Sequence, residues 1–142
     1  MTAFKSLTRV HNWILTEKRQ KLAGIEELIE KMKIDLQRLE DELESENKAA
    51  TASIEGTIAF PAFVAASLER RRRQRQTIAE LEKSAEAARE EVHAAFQDVK
   101  KYQHAEDLEA RQKRDERGRR EQIELDELGT AVFRRGQAAA ED

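Results

Sequence analysis

Apolar residues in the first third of the chain recur at alternating steps of three and four positions. This period, with charged residues on the other faces, is typical of a helix that supercoils around another helix. Upstream, the apolar stripe continues with a small phase shift through Leu7, Val10, Ile14 and Leu15. The pattern predicts a first helix over residues 4–47. Its seam consists of Leu22, Ile25, Ile29, Met32, Leu36, Leu39 and Leu43.

Helix breakers are concentrated in the segment NKAATASIEGTIAFP, which contains Gly56 and ends at Pro61. Proline is tolerated in the first turn of a helix, because the N–H that it lacks would have no intrahelical partner there. We therefore expect a hinge over residues 48–60 and a second helix over residues 61–135.

The second helix carries its own seam, which becomes charged after Tyr102. Folding the chain near residues 54 and 55 places Tyr102 opposite Leu7, so the apolar seam ends where its partner helix begins. This coincidence predicts an all-α fold, a long antiparallel two-helix coiled coil (a helical hairpin) with a C-terminal helical overhang, as a single domain over residues 1–142. The seam positions are Ile78, Leu81, Ala85, Ala88, Val92, Ala95, Val99 and Tyr102.

The overhang has no partner in such a hairpin. Pairs of opposite charge such as Glu109 and Lys113 support its helix by a few tenths of a kcal/mol each, whereas Gly118 costs about 1 kcal/mol relative to Ala. Residues 136–142 are expected to form a disordered tail. Past the charged stretch lies a small unpaired apolar stripe: Ile123, Leu125, Leu128, Val132 and Phe133.

Composition narrows the classes of function. The 142 residues are 39% charged and 5% aromatic, with no cysteine and a formal net charge of −3. We find no nucleophile, phosphate-binding or metal-ligand motif, and a two-helix protein offers no enclosed cavity for catalysis. We therefore predict a protein that is not an enzyme and binds no cofactor or metal. The N-terminus has no signal-peptide pattern and the apolar runs are too short to span a bilayer, so we expect a cytoplasmic protein.

The arginine cluster at residues 70–73 and 75 allows two interpretations. Preceding a heptad seam, it resembles the basic region of a zipper that enters the DNA major groove. In the hairpin, however, it would lie near the acidic run that starts at Glu40, and the Ala-rich seam is unlike a parallel zipper. Ion pairing or an acidic protein partner is the favoured interpretation, and nucleic-acid binding remains the lesser one.

Aromatic and aliphatic residues lie near both ends of the predicted hairpin. Phe60, Phe63, Val64 and Leu68 flank the hinge, and Trp13 lies near the other end. Such residues either cap the end of a coiled coil or form an exposed patch for a protein partner.

Three stretches resemble one known family. They are FKSLTRVHNWILTEKRQKLAGIEELIEKM, FPAFVAASLERRRRQRQTIAELE and ARQKRDERGRREQIELDEL. Together they resemble the flagellar export protein family FliJ and its type III secretion counterpart YscO. The opening, an aromatic followed by LxR, a second aromatic and EKR, is closest to the FliJ pattern.

The resemblance implies a component of the flagellar type III export apparatus, similar to the central stalk of rotary ATPases. Its expected partners are the hexameric export ATPase, the cytoplasmic domain of the export gate membrane protein and export chaperones, with membrane association only through those partners. The alternative is a generic coiled-coil scaffold or adaptor. The residues that the resemblance assigns to the ATPase are Leu7, Arg9, Trp13, Arg117, Arg119 and Arg120. Those that it assigns to the gate are Phe63, Val64 and Leu68.

Overall fold

A computed structural model describes residues 3–141 of the chain. These residues form two helices, α1 (Ala3–Ala50) and α2 (Ile54–Glu141), which pack against each other, and the described part contains no strand. The prediction of an all-α helical hairpin is confirmed. Neither helix contains a segment apolar enough over a sufficient length to cross a lipid bilayer.

Contacts divide the chain into two groups. The first, His11–Gln97, contains most of the hairpin. The second joins the described residues up to Val10 to those from Asp98 onward. The two groups are described separately below.

In the first group, the main row of buried positions in α1 alternates steps of three and four, and Ile14 and Glu40 are half-buried beside it. Leu15, Ile29 and Leu39 are the most buried of these positions. A fully buried Leu or Ile side chain contributes about 1.5–3 kcal/mol, so this row carries much of the stability of α1. The row of buried and half-buried positions is His11, Leu15, Lys18, Leu22, Ile25, Ile29, Met32, Leu36, Leu39 and Leu43.

The seam of α2 begins earlier than the sequence suggested. It reaches back from Ile78 through Gln74, Arg71, Ser67 and Val64 in the same three-four spacing. Ser67 is buried, and Arg71 and Gln74 are half-buried. A hydropathy pattern misses these positions because polar side chains occupy them. From Ile78 onward the buried residues are those predicted, with Ala85, Ala88 and Ala95 nearly inaccessible.

Ion pairs across the hairpin define its direction. Lys18 Nζ lies 3.3 Å from Glu91 Oε2, and Arg75 Nη2 lies 3.3 Å from Glu40 Oε1. Early residues of α1 are therefore beside late residues of α2, and late residues of α1 are beside early ones. The two helices of this group run antiparallel, as the seams predicted.

The hinge is shorter than expected. Only Thr51, Ala52 and Ser53 separate the helices, whereas the sequence analysis placed the hinge at residues 48–60 and the start of helix two at residue 61. Ser53 is the N-cap of α2, because its Oγ accepts a hydrogen bond of 3.0 Å from the N–H of Gly56. Thr57 Oγ1 donates a hydrogen bond of 2.7 Å to the carbonyl of Ala50 at the end of α1.

Gly56 is required at the hinge by close packing rather than by its backbone conformation. A β-carbon there would lie 2.8 Å from Ser53 Oγ and 3.1 Å from Ala50 Cα. Pro61 lies inside α2 rather than at its first position. It cannot donate to the carbonyl of Thr57. The Ser53 cap and the Thr57 bond to Ala50 stabilise an earlier start, which is why the proline is a misleading marker of the helix boundary.

In the second group, Thr8 and Val99 are buried, and Tyr102, Glu106 and Glu109 are half-buried. Thr8 Oγ1 donates to the carbonyl of Phe4 at 2.8 Å, which satisfies the hydroxyl away from water.

The apolar stripe predicted for the start of α1 is wrong at Leu7 and Val10, whereas Leu15 is buried and Ile14 is half-buried. Thr8, together with His11, continues the three-four spacing of the seam, while Leu7 and Val10 are 37% and 52% exposed. Thr8 rather than Leu7 is the buried residue at this end, and an apolar pattern misses it because its hydroxyl is polar.

All described residues after residue 109 are exposed. The helix nevertheless continues through Gly136 to Glu141, so the disordered tail expected for residues 136–142 is replaced by helix over its described part; residue 142 lies outside the described residues. Lys113 Nζ and Glu109 Oε1, 3.3 Å apart, form one of the expected pairs along this segment. The alanines of the C-terminal segment favour helix over coil.

Candidate partner-binding surfaces

A groove lies between the two helices near the hinge. Its volume is about 520 Å³, and its apolar walls come from both helices, with carboxylates and a guanidinium among them. Such a groove can accept an apolar side chain of a partner and orient it by charge. The lining residues are Glu40, Leu43, Glu44, Asn47, Phe60, Val64 and Arg71.

A second, smaller groove of about 270 Å³ lies beside the hinge and shares Phe60 with the first. Phe63 lines it, and the Phe60 and Phe63 rings stack with their centroids 6.5 Å apart. Among the residues assigned to the gate, Val64 therefore lines the first groove and Phe63 the second. Leu68 is half-exposed and lines neither of these two grooves.

The α1 side of the first groove was missed by sequence reasoning. Leu43 belonged to the predicted seam, and Asn47 was included in the breaker segment. Once α1 is extended to Ala50, both lie on helix opposite the start of α2. A signal was available in the capping chemistry of Ser53, which places the start of α2 close enough to α1 to form a groove.

The arginine cluster is largely ion-paired. Arg71 Nε lies 3.1 Å from Glu40 Oε1, in an orientation that makes an ion pair but not a hydrogen bond, and both side chains are 32% exposed. Arg75 reaches the same carboxylate. These contacts confirm that the cluster lies beside the acidic run of helix one. They also leave fewer unpaired arginine side chains in the cluster that could bind the phosphates of a nucleic acid.

Two further arginines pair within α2. Glu69 accepts hydrogen bonds from Arg72 Nη2 at 2.8 Å and Arg73 Nε at 3.2 Å. The hydrogen bond from Arg72, followed by that from Arg73, lowers the pKa of Glu69 to about 2, and Glu69 in turn raises the pKa of Arg72. The sequence suggested ion-pair partners on helix one for the whole cluster, whereas Arg72 and Arg73 form their ion pairs with Glu69 of their own helix.

A similar carboxylate lies farther from the hinge. Glu91 accepts hydrogen bonds from the amino groups of Lys18 and Lys21, both at 3.3 Å. These bonds, Lys18 first, lower the pKa of Glu91. The contact stabilises the antiparallel pairing modestly, because partly exposed pairs are screened by water and salt.

The residues assigned to the ATPase are all exposed. Leu7 and Arg9 are exposed near the start of α1, and Trp13 is 65% exposed. Arg117 lies 15 residues beyond Tyr102, about 22 Å farther along α2, in the segment where every described residue is exposed. Arg117, Arg119 and Arg120 all lie beyond Glu109, the last half-buried residue of α2.

The apolar stripe of the overhang is fully available to a partner. Its five residues are between 57% and 66% exposed. A groove of about 510 Å³ beside the stripe is lined by Ile123 with Asp126, Glu127, Thr130, Ala131 and Arg134. Large apolar side chains that a single helix leaves in water mark an interaction site more often than a monomeric surface.

Over residues 3–141, no group of three or more histidine, aspartate or glutamate side chains is arranged to hold a metal ion. In a comparison with known families, the model described as Flagellar FliJ protein matches residues 1–138. No curated protein and no solved structure matches the chain.

Proposed function

The chain belongs to the FliJ family of flagellar proteins, and we propose that it serves the flagellar export apparatus as a non-enzymatic stalk. In this role it binds the hexameric export ATPase and links it to the export gate and to export chaperones. Through these partners the protein is held on the cytoplasmic side of the membrane.

The observation that carries the proposal is the exposed end of α2. From residue 110 to Glu141 a single helix presents all of its described side chains to solvent, including Leu125, Leu128 and Val132. A lone helix is about 10–12 Å across with its side chains. Such a helix is narrow enough to enter the centre of a protein ring, where its apolar stripe would be covered.

The exposed part of α2 carries charges of both signs. Different sides of this helix can therefore make different contacts with the subunits of the ATPase ring. Arg117, Arg119 and Arg120 are exposed and alternate with acidic residues such as Glu116 and Glu121. A stalk acts on a ring by contacting its subunits unequally, and the effect on their conformations is limited by the difference in contact energy. Couplings of this kind are typically about 1–3 kcal/mol.

The ATPase proposal is tested with two variants of equal charge change. Arg117→Glu with Arg120→Glu reverses two exposed cations of the overhang, and Arg70→Glu with Lys83→Glu reverses two exposed cations of the hairpin. We expect wild type and the hairpin variant to stimulate turnover and ring assembly of the purified cognate ATPase, and the overhang variant to lose at least half of the stimulation. No effect of the wild-type protein on either measurement contradicts the proposal.

The gate proposal rests on exposed apolar side chains near the hinge, of which Phe63 also lines a groove and Leu68 does not. Phe63→Ala and Leu68→Ala remove exposed apolar surface, while Ile34→Ala does the same on an exposed face of α1 away from the hinge. We expect the first two substitutions, and not the third, to weaken binding to the cytoplasmic domain of the export gate in a titration. Equal binding by all three variants would remove the gate contact from the proposal.

A further inference from the structure

The apolar seams do not by themselves specify how far along α1 the second helix lies. From residue 22 to residue 43 the seam of α1 consists of Leu, Ile and Met, and from residue 78 to residue 99 the seam of α2 consists of Ala, Val, Ile and Leu, each repeating every seven residues. A slip of one helix by seven residues would again set seam positions against seam positions, although the direction that brings Glu26 to Glu82 also moves the polar seam residues Arg71 and Gln74 toward the middle of the α1 seam. The seven-residue repeat by itself therefore does not select the register.

Charged residues beside the seam also repeat every seven residues, with alternating sign. On α1 they are Glu26, Lys33 and Glu40, and on α2 they are Arg89, Glu82 and Arg75. Each faces an opposite charge across the helices. The three distances are 3.4 Å for Glu26–Arg89, 3.5 Å for Lys33–Glu82 and 3.3 Å for Glu40–Arg75.

A slip by seven residues turns attraction into repulsion whichever way it goes. In one direction Glu26 meets Glu82 and Lys33 meets Arg75. In the other direction Lys33 meets Arg89 and Glu40 meets Glu82. The alternation of sign along each helix is what makes both slips unfavourable, since a row of one sign would pair equally well after a shift.

We propose that this charge ladder, the three pairs Glu26–Arg89, Lys33–Glu82 and Glu40–Arg75, selects the register of the hairpin. Each rung is at least partly exposed and contributes little to the overall free energy of unfolding. Its effect on register is larger, because a slip both removes an attraction and creates a repulsion. Exchanging one for the other at a single rung changes the preference by about two- to fivefold.

The hinge is the competing explanation, because the Ser53 cap and the Thr57 bond to Ala50 also hold the helices at one offset. The two explanations separate when the charges alone are changed. Glu26→Lys with Lys33→Glu inverts two rungs without touching the hinge. In this variant the observed register has two repulsive rungs, whereas a slip that brings residue 26 to Glu82 and residue 33 to Arg75 has two attractive ones.

Engineered disulfides report the register, since the chain has no cysteine of its own. Ile29 and Ala85 line one groove together with Glu26, Lys33 and Glu82. Cysteines at positions 29 and 85 therefore report the observed register, and cysteines at positions 22 and 85 report the slipped one. The measurement is the yield of each disulfide under mild oxidation in the full-length protein.

We expect the double inversion to raise the ratio of the 22–85 disulfide to the 29–85 disulfide by roughly 25-fold or more over the wild-type charges at low salt. Adding Glu82→Lys and Arg89→Glu should restore the 29–85 disulfide. At 1 M salt, where the screening length is about 3 Å, the difference should largely vanish. The matched control, Glu27→Lys with Lys31→Glu, reverses an exposed pair within α1 and should leave the ratio unchanged.

An unchanged ratio in the double inversion overturns the proposal and assigns the register to the hinge. If the double inversion yields neither disulfide and loses helix content by circular dichroism, the four-substitution variant decides. Recovery of the 29–85 disulfide supports the ladder, and failure to recover overturns it.

Discussion

The hairpin of residues 11–97 and the overhang of residues 110–141 are stabilised differently. Both are helical and rich in charge. In the hairpin every three or four residues a side chain is buried, and cross-helix ion pairs accompany the seam. In the overhang all described residues are exposed, and stability comes from intrinsic propensity and local pairs such as Glu109–Lys113. Both segments are therefore helical, but only the hairpin is held by packing between helices. The overhang leaves its side chains free to bind a partner.

The largest expected difference between the regions is the cost of removing an apolar side chain. Leu39→Ala, at a residue that is 6% exposed, should lower the free energy of unfolding by about 2–3 kcal/mol. Leu128→Ala, at an exposed residue, should change it by less than about 0.5 kcal/mol. Urea unfolding followed by circular dichroism measures both. A comparable loss in the two variants would show that the overhang is packed in solution.

Replacing a polar seam residue should strengthen the hairpin. Gln74 Oε1 is buried and accepts no hydrogen bond, at a seam position otherwise suited to an apolar side chain. Gln74→Leu should raise the free energy of unfolding by about 1 kcal/mol, because it removes an unsatisfied acceptor and adds apolar contact. The midpoint of urea unfolding reports the gain. A lower midpoint would mean that the amide is satisfied in solution and that the polar position is needed.

Three glycine substitutions separate close packing from helix propensity. Gly24→Ala and Gly118→Ala should each stabilise helix by about 0.5–1 kcal/mol, since nothing lies within 4 Å of the added β-carbon. For Gly118 the gain should appear as slower amide hydrogen exchange around that residue. Gly56→Ala should instead destabilise the hairpin by about 1 kcal/mol or more, because its β-carbon would press on Ser53 and on the backbone of Ala50. Stabilisation by all three would contradict the short hinge.

The smallest effect concerns an exposed ion pair in the hairpin, which should behave like the local pairs of the overhang. Because the pKa of Glu69 is lowered in the folded state, its favourable contribution is present above the ordinary range near 4.5 and is lost as the pH falls toward about 2. Carbon-detected NMR of the carboxyl should show this low midpoint. Arg72→Ala should raise the pKa more than Arg73→Ala, and a midpoint that does not change in either variant would exclude these arginines as the cause.

The fold followed from the sequence because each helix carries its own periodic signal. The row from Leu22 to Leu43 and the row from Ile78 to Val99 are buried as predicted. Errors arose where the buried residue is polar, at Thr8 and Ser67, or where one breaker was given too much weight, at Pro61. A hydropathy pattern has no means of recognising a buried hydroxyl such as that of Thr8, which donates to a carbonyl of its own helix.

Candidate surfaces were less predictable than the fold. The exposure of Arg117 and the apolar stripe follows from the end of the seam and was expected, whereas the sequence left open whether Trp13 caps the coiled coil or is exposed. The grooves at the hinge were not, because they depend on how closely the start of α2 approaches Leu43 and Asn47. The roles of these residues toward the ATPase and the gate stay predictions that the binding experiments above test.

The sequence alone established that the chain forms two long helices, which faces of them are buried, and that the second helix is longer than the first. It could do so because the spacing and polarity of residues are local properties of the chain. Only the tertiary structure showed which charges meet across the helices, including the ion pairs of Glu40 with both Arg71 and Arg75. It also showed that α2 begins after the N-cap Ser53 and not at Pro61. These features depend on the distance between residues far apart in sequence, and seams that repeat every seven residues leave that distance undetermined.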